Sequence, residues 1–350
     1  MTRDELLKRV NDGDILYDID CRGLDYSAID ISGGVFEKVD FSGARFTDAK
    51  LDECVFNKCQ FEGADLSKSS IQSATFTSID LSSALLRFCR LSNSEITESN
   101  LNDADLSGAD LTHTNFVDCS LRQTNISKAN LTFTTLAKSD LSASFFNDAK
   151  LDRTNFFEVN LEGCDFRGAH MQHPIFQKPH MNGHDFSNMD LTLAQFREAD
   201  LSKCNFSGAN LTQASFMEAD LTGATFDEAD APMAIFCGAT LKNASLKNIN
   251  LEQGSLQKST LSLSDLRGAK LMQAQMSEVI CDGTLFGGAD LTYADLSNVV
   301  LKDCDMTNLF LFRTNLHNLL DSGSLWQGSN KSQTLGTDEK RLAAEQWKPK

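Results

Sequence analysis

A period of five residues constrains the fold of this chain more than any other feature of the sequence. From Tyr26 to Leu316, every fifth residue is Leu, Phe, Ile, Met, Tyr, Ala or Cys, and no insertion or deletion interrupts the phase. The residue two places before each of these is mostly Ala, Ser, Thr, Cys or Gly, and the other three are mostly polar. Each unit of five therefore has one large and one small inward position.

Neither an α-helix nor a single strand can keep this phase. Side chains of a helix return to the same face about every 3.6 residues, and those of a strand return at every second residue. A chain with two inward residues in every five must instead turn a corner after each unit. Successive coils then stack and bury a continuous core, which is the architecture of a solenoid. The sequence predicts an all-β solenoid, or parallel β-helix.

The order of the large residues predicts how many units form one coil. From Phe146 to Phe236, Phe alternates with Leu, Met or Ala at successive large positions. A coil of three units would scatter these Phe side chains over all three faces. A coil of four units stacks them as ladders on two opposite faces, so we expect a square coil.

Units such as ADLSG (104–108), ADLTH (109–113) and ANLTQ (209–213) resemble the repeats of the bacterial pentapeptide-repeat family. The resemblance extends over roughly residues 24–318. It implies a right-handed quadrilateral parallel β-helix with four repeats in each coil. We expect three regions: an N-terminal helical cap at 1–20, the β-helix at 21–318, and a C-terminal cap and flexible tail at 319–350.

Both ends of the array carry signals for caps, which protect the open edge of a solenoid. Thr2 followed three residues later by Glu5 is a capping-box pattern, and Gly13 suits the end of that helix. The apolar residues expected to cover the first coil are Leu6, Leu7 and Val10. This lead-in resembles helices that precede pentapeptide arrays in some proteins linked to bacterial type VI secretion. After Leu316 the phase is lost, and we expect a flexible chain from about residue 328.

One irregular stretch, residues 169–186, interrupts the small-residue pattern with Pro174, Pro179 and His184. Since Pro removes a backbone donor and His is larger than Ala, we expect a local bulge. Four His residues cluster here, and clustered imidazoles favour zinc or a similar ion. The metal-ligand candidates are His170, His173, His180 and His184. A partner-recognition bulge and neutral drift are the alternatives, and no cofactor is expected.

Both tryptophans, Trp326 and Trp347, lie in the predicted tail. Aromatic side chains dominate binding hot spots, so each is a candidate anchor for a protein partner. The alternative is that they pack on the cap or lie idle in a loose terminus.

The composition restricts the partners and the compartment. A net charge of −17 and a pI near 4.7 argue against direct nucleic-acid binding through phosphate neutralisation. No apolar run is long enough to insert into a membrane. With no signal peptide visible, we expect a cytoplasmic protein with free thiols, and secretion by a signal-peptide-independent route is compatible with this. Of the ten Cys residues, seven occupy the small inward position and Cys281 a large one, so we expect them to act as core filler, whereas Cys21 and Cys237 lie elsewhere.

No catalytic motif is present, and a solid core leaves no pocket, so no enzymatic activity is expected. We expect a protein-binding scaffold or adaptor, which the N-terminal lead-in links to a bacterial secretion system. The alternative is an acidic DNA mimic that binds a type II topoisomerase, as some pentapeptide proteins protect DNA gyrase from quinolones. Those relatives dimerise through an apolar C-terminal helix and carry projecting loops, whereas this chain has an unbroken array and a hydrophilic end. The sequence does not determine the oligomeric state.

Overall fold

The fold begins with a helix that covers the first coil. In the computed structural model, which describes residues 1–347, α1 spans Arg3–Asn11. The Thr2 hydroxyl accepts the N–H of Glu5, and the Glu5 carboxylate accepts the N–H of Thr2 at 2.8 Å. The predicted capping box is therefore confirmed. Leu6 is buried, and the Tyr26 hydroxyl in the following coil donates to the carbonyl of Met1 at 3.1 Å.

The chain divides into two units, Met1–His180 and Met181–Lys350. In the first unit, nine short parallel strands form one sheet in chain order. Their bounds are β1 (Ile15–Tyr17), β2 (Val35–Glu37), β3 (Val55–Asn57), β4 (Thr75–Thr77), β5 (Glu95–Thr97), β6 (Asn115–Val117), β7 (Thr135–Ala137), β8 (Asn155–Phe157) and β9 (Ile175–Gln177). Each strand residue pairs with its equivalent one coil later, as Leu16 does with Phe36.

The other three sides of each coil in the first unit are joined by single parallel bridges. Asp40 pairs with Gln60, Arg45 with Asp65, and Lys50 with Ser70, so each partner lies exactly four units further along the chain. Four five-residue sides per coil are the arrangement that the Phe alternation predicts. The first unit is thus a quadrilateral parallel β-solenoid.

The second unit has the same architecture. Parallel bridges with the same four-unit shift run from the Asp185–Asn205 pair to the Asn315–Leu335 pair. A three-stranded parallel sheet closes its C-terminal part, formed by β10 (Ile280–Asp282), β11 (Val300–Lys302) and β12 (Leu320–Ser322). A 3-10 helix (Lys331–Gln333) and helix α2 (Glu339–Glu345) follow.

Stacked aromatic rings fill the core of both units. In the first, Phe36 stacks on Phe56 with ring centroids 4.9 Å apart. In the second, Phe206 stacks on Phe226 at 4.8 Å, and Phe216 on Phe236 at 4.8 Å. Each of these pairs joins equivalent positions of consecutive coils, so the expected Phe ladders are present within each unit.

Every corner of the coil requires a left-handed residue. The N–H of Ala44 donates to the carbonyl of Phe41 at 2.9 Å, and Gly43 between them has φ of +64°. A positive φ at the third residue is typical of a type II turn. Many non-glycine residues occupy this position, among them Phe88 with φ of +56°, at a cost of about 1 kcal/mol each. Gly108 has a second reason to be glycine, because an added Cβ would lie 2.5 Å from the Phe88 ring.

The solenoid extends further than the sequence predicts. Beyond residue 318, β12 pairs with β11 in the same register, and Leu325 and Leu335 bridge to the preceding coil. The side-chain pattern is lost after Leu316, but the prediction that the solenoid ends there is wrong, because the pairing of coils continues. A helix also forms where a flexible tail is expected, because Asp338 caps α2 by accepting the N–H groups of Lys340 and Arg341. The tail residues 348–350 lie outside the described residues.

The Pro-containing coil of the first unit also differs from its prediction. Pro174 and Pro179 lie buried at small inward positions. The register continues through them, since His170 bridges to Lys150, Ile175 pairs with Asn155, and His180 bridges to Asn160. This part of the chain therefore keeps its pairing with the preceding coil, without the expected bulge there.

We expect the Phe ladder to be a main source of stability. Replacing Phe206, which is fully buried and stacked on both Phe186 and Phe226, with Ala leaves a cavity between two rings. The variant Phe206→Ala should lower the free energy of unfolding by about 3–5 kcal/mol in urea denaturation. The control Phe310→Ala removes an exposed ring and should change it by less than about 0.5 kcal/mol. Equal effects of the two changes would contradict the ladder's role.

Candidate partner-binding surfaces

Within the first unit, the structure does not bring the candidate histidines His170 and His180 together. His170 and His180 belong to one coil and are two units apart, which places them on opposite faces of a four-sided coil. His170, His173 and His180 are exposed, whereas His184 is buried with its Nδ1 2.8 Å from the carbonyl oxygen of Met181. Within residues 1–347, no group of three or more His, Cys, Asp or Glu residues is placed to hold a metal ion.

The two candidate tryptophans have different environments. Trp326 occupies a large inward position of the last coil and is half-buried. Its Nε1–H donates to the Asp321 carboxylate at 2.7 Å, and the Lys331 ammonium lies over its ring at 3.5 Å from the centroid. Trp326 is thus held within the last coil by Asp321 and Lys331. Trp347 follows α2 and is 72% exposed, so it is the freer of the two to contact a partner.

Helix α2 is held against the second unit by a buried histidine. His317 is 1% exposed, and its Nδ1 accepts the N–H of Asp338 at 3.1 Å. Its Nε2 therefore carries the proton and donates to Glu345 at 3.1 Å. Arg341 donates to the same carboxylate at 2.7 Å. The hydrogen bond from Arg341 has the larger effect in lowering the pKa of Glu345, and the one from His317 adds to it.

A cleft of about 540 Å³ lies between α2 and the solenoid side that contains Ser297 and Asn298. The polar groups that line it largely bond one another. Arg341 pairs with Glu345, and Asn318 donates to the Asn298 side chain at 2.7 Å. The cleft is therefore mainly the seam along which α2 packs.

The acidic residues that precede the large positions have a structural role. The Asp110 carboxylate accepts the N–H of Thr112 at 3.1 Å, which is an Asx turn. One coil later, Asn130 accepts the N–H of Thr132 at 3.2 Å in the same way. The same i+2 contact is made by Asp105, Asp140, Asp200, Asp220, Asp290 and Asp295. The acidic character thus follows largely from turn formation.

Six cysteines act as small core residues whose thiol donates to a backbone carbonyl, namely Cys54, Cys59, Cys119, Cys164, Cys204 and Cys304. The Cys54 thiol donates to the carbonyl of Ile31 at 3.1 Å, and the Cys204 thiol to that of Met181 at 3.0 Å. Burial raises the pKa of both thiols to about 12. Because the thiolate is the reactive form, these side chains are poor nucleophiles. All ten cysteines are free thiols; nine are buried and Cys237 is half-buried.

One surface of the first unit has few charged residues. We call the outer surface of β1–β9, formed by the two outward residues of each strand, the neutral face. Glu37 and Glu95 are its charged residues, and the rest are apolar, Thr, Asn, Gln or Tyr. Of its side chains, Ile15, Tyr17, Val55 and Ile175 are large, apolar or aromatic, and exposed.

The neutral face follows from local backbone pairing. On the other three sides the ladder has a single bridge per coil, and an Asp or Asn often accepts the N–H two residues later. On this side the ladder covers the whole of each strand, which leaves fewer N–H groups for side chains to satisfy. The five-residue pattern does not predict this face, which becomes visible when outward residues one coil apart are compared.

Sequence models of the pentapeptide repeat match most of the chain. The model described as a pentapeptide repeat region matches residues 29–106 and 149–236. The model described as pentapeptide repeats (8 copies) matches residues 104–142, 244–280 and 280–318. The chain therefore belongs to the pentapeptide-repeat family. Among curated proteins, no match was found.

Several solved structures of pentapeptide repeat proteins are similar to the chain. HetL, involved in heterocyst differentiation regulation in the cyanobacterium Nostoc sp. strain PCC 7120, is 23% identical over 71% of this chain and 96% of its own, with a TM-score of 0.39. QnrB1, a plasmid-mediated fluoroquinolone resistance protein, is 24% identical over 53% and 90%, with a TM-score of 0.30. A protein of the Arabidopsis thaliana thylakoid lumen is 32% identical over 34% and 69%, with a TM-score of 0.24.

Neither helix of the described chain has the length or the apolar character that is needed to cross a bilayer.

We expect the charge of the turn-forming Asp residues to be dispensable for stability. In the variant Asp110→Asn, the amide oxygen can still accept the N–H of Thr112, as Asn130 accepts that of Thr132 one coil later. The free energy of unfolding should therefore change by less than about 0.5 kcal/mol. The variant Asp110→Ala removes the acceptor and should cost about 1 kcal/mol. Urea denaturation of both variants measures this, and a larger loss for Asn than for Ala would refute the assignment.

We expect the attachment of α2 to weaken in acid. The docked state lowers the pKa of Glu345, so its stabilisation is present above the ordinary glutamate pKa of about 4.3. It is lost as the pH falls through the lowered pKa. The backbone amide NMR signals of residues 339–345 should shift between pH 5.5 and 3, and Glu345→Gln should show much of that shift already at pH 5.5. Signals that do not change in the wild type would contradict this linkage.

Proposed function

We propose that this chain is a non-enzymatic protein-binding scaffold or adaptor, and that the neutral face of β1–β9 binds its protein partner. The observation that carries the proposal is the near absence of charge on this face in a chain with a net charge of −17. Interface centres are depleted in charged residues and contain apolar and aromatic side chains. Long, rigid solenoid surfaces serve this kind of recognition.

The shape of the neutral face supports the proposal. Its side chains are regularly spaced, because each strand contributes two outward residues, at about 4.8 Å from the next strand. The polar members are mostly Thr and Asn, which accept and donate hydrogen bonds without the desolvation cost of a full charge. A flat protein surface can therefore pack on it at moderate cost.

The groups beneath this face and elsewhere support a binding role rather than catalysis. The inward residues of β1–β9 are buried and pack on those of the next strand, as Phe56 does on Phe76 and Phe156 on Phe176. The buried thiols have raised pKa values, which disfavours nucleophilic chemistry.

Adding charge to the neutral face should prevent partner binding. The double variant Val55→Lys/Val117→Lys places two ammonium groups on this face, and we expect the recovery of specific partners in quantitative affinity capture to fall about tenfold, equivalent to ~1.4 kcal/mol. The matched control is Gln60→Lys/Ser92→Lys, which adds the same charge outside the strands of this face. An equal fall in partner recovery for both double variants would mean that net charge, rather than the neutral face, controls binding. Unchanged recovery with Val55→Lys/Val117→Lys would show that the neutral face does not bind the partner.

A role as an accessory of a bacterial secretion system is a more specific form of this proposal. The lead-in helix α1, with its capping box, is the observation that motivates it. The position of the gene tests it, because an accessory protein is expected beside the secretion genes. A gene far from any such cluster would count against this form of the proposal while leaving the scaffold role intact.

The second candidate function is a DNA mimic that binds a type II topoisomerase such as DNA gyrase. The exposed Asp residues on three sides of the first unit favour it, for example Asp20, Asp25 and Asp30. Their role in turns, and neighbours such as Arg22 that pair with them, favour the scaffold instead. We expect micromolar protein to leave gyrase supercoiling unchanged, with or without a quinolone. Inhibition of supercoiling, or protection from the drug, would support the DNA mimic.

A further inference from the structure

The last strand of the second unit has an uncovered edge. β12 has one neighbour in its sheet, β11. All three of its residues are exposed, including Asp321, although this position points inward in every preceding coil of the unit. The cleft beside α2 includes Asn318 but no residue of β12. The helix thus packs along the side of the solenoid and leaves this edge accessible.

The backbone of this edge has groups that point away from the preceding coil. In the coils before it, the N–H of Leu261 donates to the carbonyl of Ile280, and the N–H of Leu263 to that of Asp282. The equivalent donors of the last coil are the N–H groups of Asp321 and Gly323, which have no acceptor within the described residues. Such an edge is a template for an added strand.

The outward side chains beside this edge form an aliphatic ladder. Ile280, Val300 and Leu320 are in register on consecutive strands and are all exposed. Earlier in the unit, the same column contains Asp200, Asp220, Thr240 and Thr260. Exposed aliphatic residues thus appear in this column only near the edge. A strand added in register would place its own outward residue beside Leu320, where an aliphatic side chain would bury the most apolar surface.

The inward side of an added strand would meet a carboxylate. Asp321 Oδ2 accepts the Nε1–H of Trp326 at 2.7 Å, and Oδ1 has no hydrogen-bond donor within residues 1–347. The residue that follows the aliphatic one in a parallel strand would point inward, towards Asp321. A Lys or Arg there would pair with this carboxylate, and the chain's overall negative charge would favour it further.

We propose that the edge of β12 binds an extended segment of a protein partner, which adds to the sheet as a parallel strand. The segment carries an aliphatic residue beside Leu320, followed directly by a basic residue above Asp321. This site lies in the second unit and does not depend on the neutral face of the first.

Binding of short synthetic peptides to the full-length chain tests the proposal. The probe is a fluorescein-labelled octapeptide, Gly-Ser-Thr-Val-Lys-Thr-Ser-Gly, and the comparison peptide has Glu in place of Lys. In fluorescence anisotropy, the Val-Lys peptide should bind about tenfold more tightly than the Val-Glu peptide, which is ~1.4 kcal/mol. Hydrogen exchange should slow at Asp321 and Gly323 when the Val-Lys peptide is bound.

Three variants locate the site. Leu320→Lys should weaken binding of the Val-Lys peptide about tenfold, and Asp321→Asn should remove most of the preference for Lys over Glu. The matched control is Leu263→Lys, since Leu263 and Leu320 are both 57% exposed, and it should bind like the wild type. Circular dichroism of each variant verifies that the solenoid is intact.

Several results would overturn the proposal. Equal affinity of the wild type and Leu320→Lys for the Val-Lys peptide would place binding elsewhere, and equal affinity for the two peptides would remove the role of Asp321. Self-association of the wild type in sedimentation experiments that is lost in Leu320→Lys would mean that a second copy, rather than a partner's peptide, occupies the edge. The variant Val55→Lys/Val117→Lys, which alters the neutral face, should bind the Val-Lys peptide like the wild type. The two proposals can therefore fail independently.

Discussion

The backbone ladder between consecutive coils is the interaction on which the rest of the structure depends. Most large inward residues donate their N–H to a carbonyl of the next coil, as Leu51 does to Ser70 at 2.7 Å. A slip of the register by a single position would move the inward side chains out of the core. This is why the five-residue phase continues without insertion from Tyr26 to Leu316. The ladder also stacks identical positions, which lets rings such as those of Phe206 and Phe226 form continuous columns.

The same ladder determines where charge lies on the outer surface. Where it consists of one bridge per coil, the turn leaves an N–H that Asp or Asn accepts, and acidic residues accumulate in columns. In some columns an Asn follows an Asp one coil later, which reduces the repulsion between carboxylates. The Asn125 side chain, for example, donates to Asp105 at 3.1 Å. Where the ladder covers a whole strand, as along β1–β9, Thr, Val and Asn take these positions. The neutral face and the turn-forming Asp and Asn residues of the other sides are therefore two results of one pairing rule.

Much of the fold could be predicted because the core repeats at a fixed period. The Phe alternation predicts a square coil, since only four sides give each face a uniform layer, and Thr2 and Glu5 predict the first helix. The last coil could not be predicted this way. Asp321 and Trp326 occupy inward positions there, but no further coil covers them, so apolar residues are not required. The five-residue pattern of apolar residues therefore ends before the solenoid backbone does.

The candidate sites could be predicted less well, because they depend on how positions distant in sequence align. His170 and His180 form a cluster in the sequence, yet they are half a coil apart, and the square geometry itself places them on opposite faces. His317 gave no signal, because its partners Asp338 and Glu345 lie in a segment without repeats. The neutral face was present in the sequence but becomes apparent only when residues one coil apart are compared.

A solenoid with a filled core has two kinds of surface for recognition, its sides and its terminal edges. In the first unit, α1 covers the first coil, and the Tyr26 hydroxyl ties that coil to Met1. In the second unit, α2 is instead bound to the side through His317, and β12 remains exposed. A helix that merely protected the fold would be expected over the open edge, where unpaired backbone groups invite aggregation. Its placement on the side, together with the aliphatic ladder beside β12, is the arrangement expected if the edge is kept free for another chain.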